Sequence, residues 1–359
     1  FSLLLFIALN QILFSLVLYL RSNVSGLGRY RLDSLLSVTD RLLLILICSV
    51  LLWGNVMPGP FRIEWFVWAQ TASLSMTALI AMSIVARRLP RFRLRVNPVF
   101  LRYLLRESAP YALSIFLMSA YYRLDGLMIE QLLPDGATEA GLYASAYRLY
   151  EAANMVGFLF AGLLLPLFSR MLKEQTSVAP LAYFSFKLIT LSGLILLVGA
   201  GAYHTEIMEL LYDSGSAYSG RILVLLCASY LAVSGTYVFG TLLVASNHTR
   251  QLNYVFGIGL GINLTLNLWL IPSLKAEGAA IATLATQVFI IAGELWVASR
   301  RLQLRVPLTT WGQLAGSLLL LSAAAQSLNY WAPFDWYWSF LAILGIGGVL
   351  ALSFVWQSN

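Results

Sequence analysis

Four ionisable side chains lie in two consecutive apolar segments of the sequence. Arg123 and Asp125 belong to the stretch YYRLDGLMIE, and Arg148 and Glu151 belong to the stretch GLYASAYRLYEAANM. Ionisable side chains are costly in an apolar environment, so those that occur there usually pair with one another or line a polar cavity. The four residues are therefore candidates for an ion-pair network and for a binding site.

The spacing of these charges predicts which of them meet. Both segments are predicted to be helices joined by the short connection 133–140, so the depth of each charge follows from a rise of about 1.5 Å per residue. Arg123 and Glu151 lie roughly 15 to 16 Å from this connection, and Asp125 and Arg148 lie roughly 12 Å from it. Opposite charges match in depth, which predicts the pairs Arg123–Glu151 and Arg148–Asp125 facing a cavity. Arg148 and Glu151 are also i,i+3 neighbours and are spaced to pair directly.

Two interpretations of the charges remain open. A clamp that only holds the two helices together would use the same residues, but four charges in one hairpin exceed what packing requires, which favours binding. Tyrosines surround the charges and add hydroxyl groups and stacking faces suited to sugars or polar headgroups, with Tyr122 and Tyr147 assigned to the site. Asp125 and Glu130 are candidates to carry a coupling H⁺ or Na⁺, or to be structural ion-pair partners.

Two asparagines further along the chain are candidates for the same cavity. Asn263 and Asn267 are four residues apart and share one face of a predicted helix. They either line a cavity or form hydrogen bonds to a neighbouring helix. The nearby GIGLGIN superficially resembles a nucleotide-binding glycine loop, but no strand precedes it, so close helix contact is the better interpretation.

The elements that must position these residues are typical of a membrane protein. The chain is 59% hydrophobic and 11% charged, against roughly 25% charged residues in a soluble domain. Apolar runs of roughly 20 residues recur from end to end, long enough to span a bilayer as helices. Runs such as LLLILICSVLLW are apolar on every face, unlike the alternating strands of a membrane barrel. We therefore predict an all-α integral membrane protein with about eleven spans. They are 1–20, 32–54, 64–86, 108–132, 141–169, 182–203, 219–246, 251–271, 276–299, 309–329 and 336–356.

Basic residues occur mainly in alternate connections between these spans, which predicts that Phe1 lies outside and Asn359 in the cytoplasm. The formal net charge of +7 follows from those connections, so no nucleic-acid partner is expected. The two cysteines lie in apolar runs and the two histidines are isolated. We therefore predict neither a disulfide nor a metal site, and we expect no cofactor. No connection outside the membrane is long enough for a catalytic domain, so an enzyme is not expected.

The connection 87–107 differs from the others because it is dense in arginine and broken by prolines. Arg102 and Arg106 are four residues apart, on one face of a short predicted helix. This pattern favours an interfacial helix on anionic lipid. The connection is also a natural hinge between two halves of the chain, and a solvated linker is an alternative of similar weight.

Several motifs resemble those of bacterial polysaccharide exporters. These are the flippases of O-antigen and other lipid-linked oligosaccharides in the multidrug/oligosaccharidyl-lipid/polysaccharide exporter superfamily. The first motif is Arg-x-Asp in one helix, then Gly-x-Tyr-Ala and Arg in the next: Arg123, Asp125, Gly141, Tyr143, Ala144 and Arg148. The stretch around MELLYDSGSAYSGRILVLLCASY resembles the family's tenth helix and its lead-in, although DSG replaces the usual single glycine. A third stretch resembles the hairpin of the eleventh and twelfth helices, with Asn263, Asn267, Pro272, Gly278, Ala279, Ala280 and Thr283 in place.

The resemblance implies a two-lobe fold, like that of multidrug exporters, with six helices in each lobe. Counting back from the Arg123 helix as the seventh, the first three helices are absent, so we expect this chain to be a fragment. The implied domains are a partial N-terminal lobe of helices four to six, a basic cytoplasmic connection, a C-terminal lobe of helices seven to twelve, and two additional helices. Their ranges are 1–86, 87–107, 108–300 and 301–359.

The resemblance also implies a function. Such a flippase moves an undecaprenyl-diphosphate-linked oligosaccharide from the inner to the outer leaflet by alternating access, in the inner membrane of a bacterium. Arg123 and Arg148 suit a diphosphate. The expected partners are this substrate, membrane lipids, H⁺ or Na⁺, and polysaccharide assembly proteins. A cation-coupled multidrug exporter is the main alternative, and a membrane O-antigen polymerase or glycosyltransferase is a further one, disfavoured by the short outer connections.

Overall fold

The computed structural model describes residues 2–26, 29–54, 62–87, 97–331 and 335–357 of the 359-residue chain. Within these ranges the regular secondary structure is α-helical. The helical segments are α1 (Ser2–Gly26), α2 (Tyr30–Trp53), α3 (Ile63–Ala86), α4 (Pro98–Leu132), α5 (Gly136–Lys173), α6 (Ala179–Leu211), α7 (Ala217–Ala245), α8 (Thr249–Arg301), α9 (Leu308–Trp331) and α10 (Trp336–Gln357).

The predicted all-α membrane fold is confirmed, and one of these segments contains two spans. α8 has 53 residues, which would be roughly 80 Å long as a straight helix, against roughly 30 Å for a bilayer core. It breaks at Lys275, where φ is 55° and ψ is −134°, between the predicted spans 251–271 and 276–299. With α8 counted as two helices, and α6 as one despite the non-helical angles at Tyr203, the described residues contain eleven helices, in agreement with the predicted number.

Apolar side chains cover the outside of these helices, as expected for surfaces that face lipid. Leu4 is 71% exposed, Leu159 is 60% exposed and Trp269 is 74% exposed. A soluble protein rarely exposes so many large apolar side chains together. In the described part of the chain, nine helices are long and apolar enough to cross a membrane, or ten when α4 is counted as a single bent span. The protein is a multi-pass membrane protein.

The chain divides into two compact units, of which the first is Phe1–Pro98. Its helices α1, α2 and α3 pack around a small core that includes Leu20 and Leu36. A salt bridge of 2.8 Å between Arg21 and Asp33 joins α1 to α2. The boundary of the two units falls in the predicted connection 87–107, of which residues 88–96 lie outside the described ranges.

The second unit, Val99–Asn359, is built around α7. Tyr230 and Phe239 of this helix are almost completely buried, in contact with neighbours from α5, α6 and α8. Glycines allow the helices to approach closely: a Cβ atom at Gly235 would lie 2.3 Å from the Ile291 side chain. The additional helices α9 and α10 pack against α6 and against each other.

The N-terminal part of α4 corrects one expectation. The predicted short interfacial helix around Arg102 and Arg106 is not a separate element, because α4 runs without a gap in helix assignment from Pro98 to Leu132. Proline at the start of a helix loses no hydrogen bond, since the first backbone N–H groups have no partner inside the helix. Pro110 lies inside α4 and does not end it.

Candidate functional site

The Asp125 carboxyl group is the centre of a buried polar cluster inside the second unit. Asp125 is only 1% exposed. Tyr143 of α5 donates a hydrogen bond of 2.9 Å to Oδ2, and the Thr283 hydroxyl donates to the same atom. Asn263 and Asn267 donate from their Nδ2 atoms to Oδ1, over 3.2 and 2.7 Å. These five residues are called the Asp125 cluster below.

The break in α8 assembles this cluster. Asn263 and Asn267 share one face of the helix before the break, and Thr283 lies on the helix after it. Folding α8 back at Lys275 brings the two faces together. Gly278 permits the tight hairpin, because a Cβ atom there would lie only 2.5 Å from the Leu270 carbonyl oxygen.

One hydrogen-bond acceptor of the cluster, Asn267 Oδ1, has no donor among the described residues. Asn267 Nδ2 also donates to Asn263 Oδ1 at 3.2 Å, while Asn267 Oδ1 is buried and has no hydrogen-bond partner among the described residues. Buried polar atoms are normally paired. An unpaired amide oxygen beside a carboxyl group is the arrangement that a small cation or a proton donor would satisfy.

The predicted pair of Arg148 with Asp125 is wrong. Arg148 is exposed, and no described carboxylate lies within 4.0 Å of it. Tyr143 is the residue of α5 that faces Asp125, and Arg148 follows it by five positions, about 140° further round the helix. The spacing along the chain predicts how deep Arg148 and Asp125 lie. It does not predict the direction in which Arg148 points around the axis of α5, and that direction separates the two residues.

Arg123 and Glu151 line a cavity of about 460 Å³ on one side of the second unit. Both side chains are exposed. They do not approach within the 4.0 Å of an ion pair in the described structure, so the predicted Arg123–Glu151 salt bridge is also not formed. The expectation that they share a cavity agrees with the geometry. The other lining residues are Ile115, Met118, Ser119, Tyr147, Asn154, Met155, Phe158 and Tyr237.

A polar wall of this cavity is held by contacts between α5 and α7. Tyr237 donates a hydrogen bond of 2.8 Å to Asn154 Oδ1, and Asn154 Nδ2 donates 2.9 Å to the Tyr150 carbonyl oxygen. Gly157 leaves room for the Tyr237 ring, since a Cβ atom there would lie 2.2 Å from it. Tyr147 stacks on Tyr143 with ring centroids 5.6 Å apart, which connects the cavity to the Asp125 cluster.

Two other predicted site residues lie apart from these groups. Glu130 is exposed close to the end of α4, five positions and about 140° from Asp125, and contributes to neither the cluster nor the cavity. The side chain of Tyr122 lies outside the described residues. The asparagines Asn263 and Asn267 bond to the neighbouring helix α4, one of the two roles expected for them.

Sequence reasoning missed Asn154, Tyr237 and the roles of Tyr143 and Thr283. The position of Asn154 was predictable from the sequence, because it follows Glu151 by three residues and so shares its helical face. Tyr143 and Thr283 were visible only as motif residues. Nothing in the spacing around Tyr237 pointed to a site. Among the described residues, no group of three His, Cys, Asp or Glu side chains is placed to hold a metal ion.

A partly exposed ion-pair group joins the α8 hairpin to the loop after α4 and to the start of α5. Lys275 Nζ lies 2.6 Å from Asp135 and 3.0 Å from Glu139, and Tyr218 donates 2.8 Å to Glu139. The hydrogen bond from Lys275 lowers the pKa of Asp135 below its ordinary value. These contacts help to hold the hairpin that carries Asn263, Asn267 and Thr283.

The apolar helical bundle, with Arg123 and Glu151 in a mainly apolar cavity, defines a class, the multi-pass membrane proteins. Comparison with solved structures finds the lipid II flippase MurJ in an inward closed conformation, with a TM-score of 0.71. The match covers 99% of this chain and 73% of that one, at 13% sequence identity. At this identity the likeness shows the fold.

Residues 1–172 match the family described as polysaccharide biosynthesis protein. The match covers just under half of the chain, and it confirms the family resemblance inferred from the motifs. A comparison with curated proteins finds no match. The family stretch includes α4 and most of α5, which carry Arg123, Asp125, Tyr147 and Glu151.

Proposed function

We propose that this protein moves a lipid-linked oligosaccharide, carried on undecaprenyl diphosphate, from the inner to the outer leaflet of a bacterial inner membrane. The observation that carries the proposal is Arg123 in a cavity of about 460 Å³ within an apolar helical bundle. A diphosphate brought into the membrane loses water and needs replacement hydrogen bonds, which a guanidinium group supplies in pairs. The family description, polysaccharide biosynthesis protein, supports a glycan as the cargo, and the proposed cargo is an O-antigen or other exopolysaccharide unit.

The surroundings of Arg123 support anion binding. None of the described carboxylates lies within 4.0 Å of its guanidinium group, so its donors are not committed to an ion pair. Glu151 in the same cavity offsets the charge when no substrate is bound, and Tyr147, Asn154 and Tyr237 offer polar and aromatic contacts to a sugar. Arg148, which the sequence placed in the same site, is not part of this proposal.

The Asp125 cluster is the proposed coupling site. Its carboxylate, the free Asn267 Oδ1 and the Thr283 hydroxyl are hard oxygen ligands of the kind that suits Na⁺, and the carboxylate alone suits H⁺. Glu130 lies outside the cluster, so Asp125 is the better candidate. Occupancy of this site would favour one arrangement of α4 and α8 over another, which is what alternating access requires. In this proposal the C-terminus is cytoplasmic.

A cation-coupled multidrug exporter remains the alternative. A site for an organic cation needs aromatic walls and more acidic than basic side chains. This cavity contains one arginine and one glutamate. Transport of a lipophilic organic cation that depends on Glu151 and is indifferent to Arg123 would favour the exporter.

The test is transport of a fluorescent lipid-linked oligosaccharide by the purified protein in proteoliposomes. We expect Arg123→Ala to lower the rate at least tenfold, since a charge-assisted hydrogen bond contributes about 1.5–3 kcal/mol, and Arg123→Lys to retain part of it because the charge survives without the forked geometry. Arg148→Ala is the matched control and should transport normally.

The double variant Arg123→Ala/Glu151→Ala separates binding from a structural clamp. A clamp loses little when both charges are removed together, since neither is left unpaired, so the double variant would then transport better than either single variant. If Arg123 binds the substrate, the double variant should still fail to transport. Normal transport by well-folded Arg123→Ala, or by the double variant, would contradict the proposal.

A further inference from the structure

A second polar cavity of about 460 Å³ lies where α4 and α8 begin, away from the site described above. Arg106 and Glu107 of α4 line it, and Thr249, Arg250 and Gln251 of α8 line the opposite side. Asn253 Nδ2 donates 2.8 Å to the Pro110 carbonyl oxygen, a contact that helps to hold these two walls together. The proposed transport function does not use this cavity.

The charge of this cavity favours an anion. Arg106 and Arg250 are exposed, and neither lies within 4.0 Å of a carboxylate in the part of the chain that the structure describes. Glu107 is the single acid among the lining residues, so the cavity has an excess of one positive charge. Two guanidinium groups that converge on one cavity without partners match the geometry of a phosphate group.

The start of α8 adds donors that point to the same ligand. The first backbone N–H groups of a helix have no acceptor within it, and a helix N-terminus binds phosphate. His248, the N-cap residue, makes no side-chain capping hydrogen bond. The Thr249 side chain is 3% exposed, and its Oγ1 atom has no partner among the described residues. An unpaired buried hydroxyl is costly, and a phosphate oxygen would satisfy it.

The surroundings extend the basic character toward a membrane surface. Gln251 also lines a neighbouring cavity of about 340 Å³, together with Arg300, Arg301 and the exposed Trp296. Tryptophan and arginine side by side are typical of the membrane–water interface. The basic-residue pattern places this end of the helices on the cytoplasmic side, the side that carries anionic lipids.

We propose that this cavity binds the phosphate headgroup of an anionic phospholipid of the cytoplasmic leaflet. The apolar surface beside it distinguishes a lipid from a soluble phosphate. Leu104 is 48% exposed and Leu105 is 62% exposed, two positions and one position before Arg106 on the same helix, where acyl chains would lie. Occupancy of the site would tie α4 to α8 at this end of the bundle.

The experiment uses the purified full chain and native mass spectrometry, with phosphatidylglycerol or phosphatidylcholine added in defined amounts. We expect one phosphatidylglycerol to be retained in preference to phosphatidylcholine. Arg106→Ala/Arg250→Ala should weaken this retention at least tenfold, and Thr249→Val should weaken it several-fold. Arg102→Ala is the matched control, because it removes an equal charge one helical turn earlier, outside the cavity, and should change retention less than twofold.

Three results would overturn the proposal. The first is unchanged retention in the double variant. The second is equal weakening by Arg102→Ala, which would indicate diffuse surface charge. The third is full competition by inorganic phosphate at millimolar concentration, which would assign the cavity to a soluble anion. If the double variant does not fold, Thr249→Val carries the test, and normal retention by that variant would equally contradict the proposal.

Discussion

Asp125 shows how a charged residue is accommodated in this bundle without a counter-charge. Its carboxyl group accepts hydrogen bonds from Tyr143, Asn263, Asn267 and Thr283, so neutral donors replace the arginine that the sequence suggested. Hydrogen bonds to an ionised group are stronger than those between neutral groups. A carboxylate held in this way is fixed in position.

Asp125→Asn removes the charge and keeps the shape. We expect the variant to fold, to transport at least tenfold more slowly, and to lose any thermal stabilisation by Na⁺ that the unmodified protein shows. Asp125→Ala should be less stable than Asp125→Asn, since it leaves buried donors unpaired at about 1–3 kcal/mol each. Unfolding temperatures with and without Na⁺ measure both effects. Glu130→Gln, exposed on the same helix, is the control, and transport by Asp125→Asn at the normal rate would exclude the coupling role.

Glu294 is another buried carboxyl group, and it lies outside the Asp125 cluster. It is 0% exposed, and neither of its carboxyl oxygens has a hydrogen-bond partner of good geometry in the described structure. It packs against α7 at Gly240, where a Cβ atom would lie 2.9 Å from Glu294 Oε1. The absence of a side chain at Gly240 is what makes room for this carboxyl group.

This contact predicts a pair of coupled stability effects. Gly240→Ala should destabilise the protein by about 1–3 kcal/mol through overpacking, and the cost should shrink when Glu294→Ala removes the opposing carboxyl group. Glu294→Gln should be close to neutral or stabilising, because burial of an unpaired charged group is unfavourable. Thermal unfolding of the four proteins of the double-mutant cycle measures the coupling. Strictly additive effects would show that the two residues do not touch.

At the scale of the element, α8 decides whether a site exists. Its break at Lys275, in a backbone conformation unusual for a residue with a side chain, turns one long segment into a hairpin and brings Asn263 and Asn267 opposite Thr283. The ion pairs of Lys275 with Asp135 and Glu139 are partly exposed and contribute modestly. The close approach at Gly278 is the less replaceable feature, because it involves backbone atoms that cannot rotate away.

Gly278→Ala should therefore be severely destabilising, with a Cβ atom 2.5 Å from the Leu270 carbonyl oxygen. We expect an unfolding temperature several degrees lower and loss of Na⁺-dependent stabilisation, because the hairpin must open. Gly261→Ala is the matched control in the same segment α8, before the break at Lys275. No heavy atom comes within 4 Å of its Cβ position, so the change should be neutral or raise stability by about 0.5–1 kcal/mol through helix propensity. Equal effects of the two changes would contradict this account.

At the scale of the whole molecule, the spans are connected by loops of alternating charge. The connection after α5 follows Arg170 and Lys173, whereas the connection after α6 contains Asp213 and follows Glu206 and Glu209. Lysine and arginine are retained on the cytoplasmic side during insertion.

Cysteine labelling tests the orientation. In a Cys48→Ser/Cys227→Ser background, Asp213→Cys should react with a membrane-impermeant maleimide added to intact spheroplasts. Gln175→Cys should react only after the membrane is permeabilised, because its loop directly follows the basic residues Arg170 and Lys173 of α5. The opposite pattern would invert the proposed direction of transport and move the phosphate-binding cavity to the outer side.

The sequence by itself determined the class of the protein, since length and hydropathy of a segment decide whether it spans a bilayer, and both are properties of the chain alone. It also carried the resemblance to the polysaccharide exporters and put Arg123, Asp125, Asn263 and Asn267 among the candidates. Only the tertiary structure decided which of them meet. Arg148 has the right depth but points about 140° away from Tyr143 on α5, and that direction depends on how one helix rotates against its neighbours to pack. Thr283 joins Asp125 because α8 reverses at Lys275, a residue whose type gives no signal for a positive φ angle.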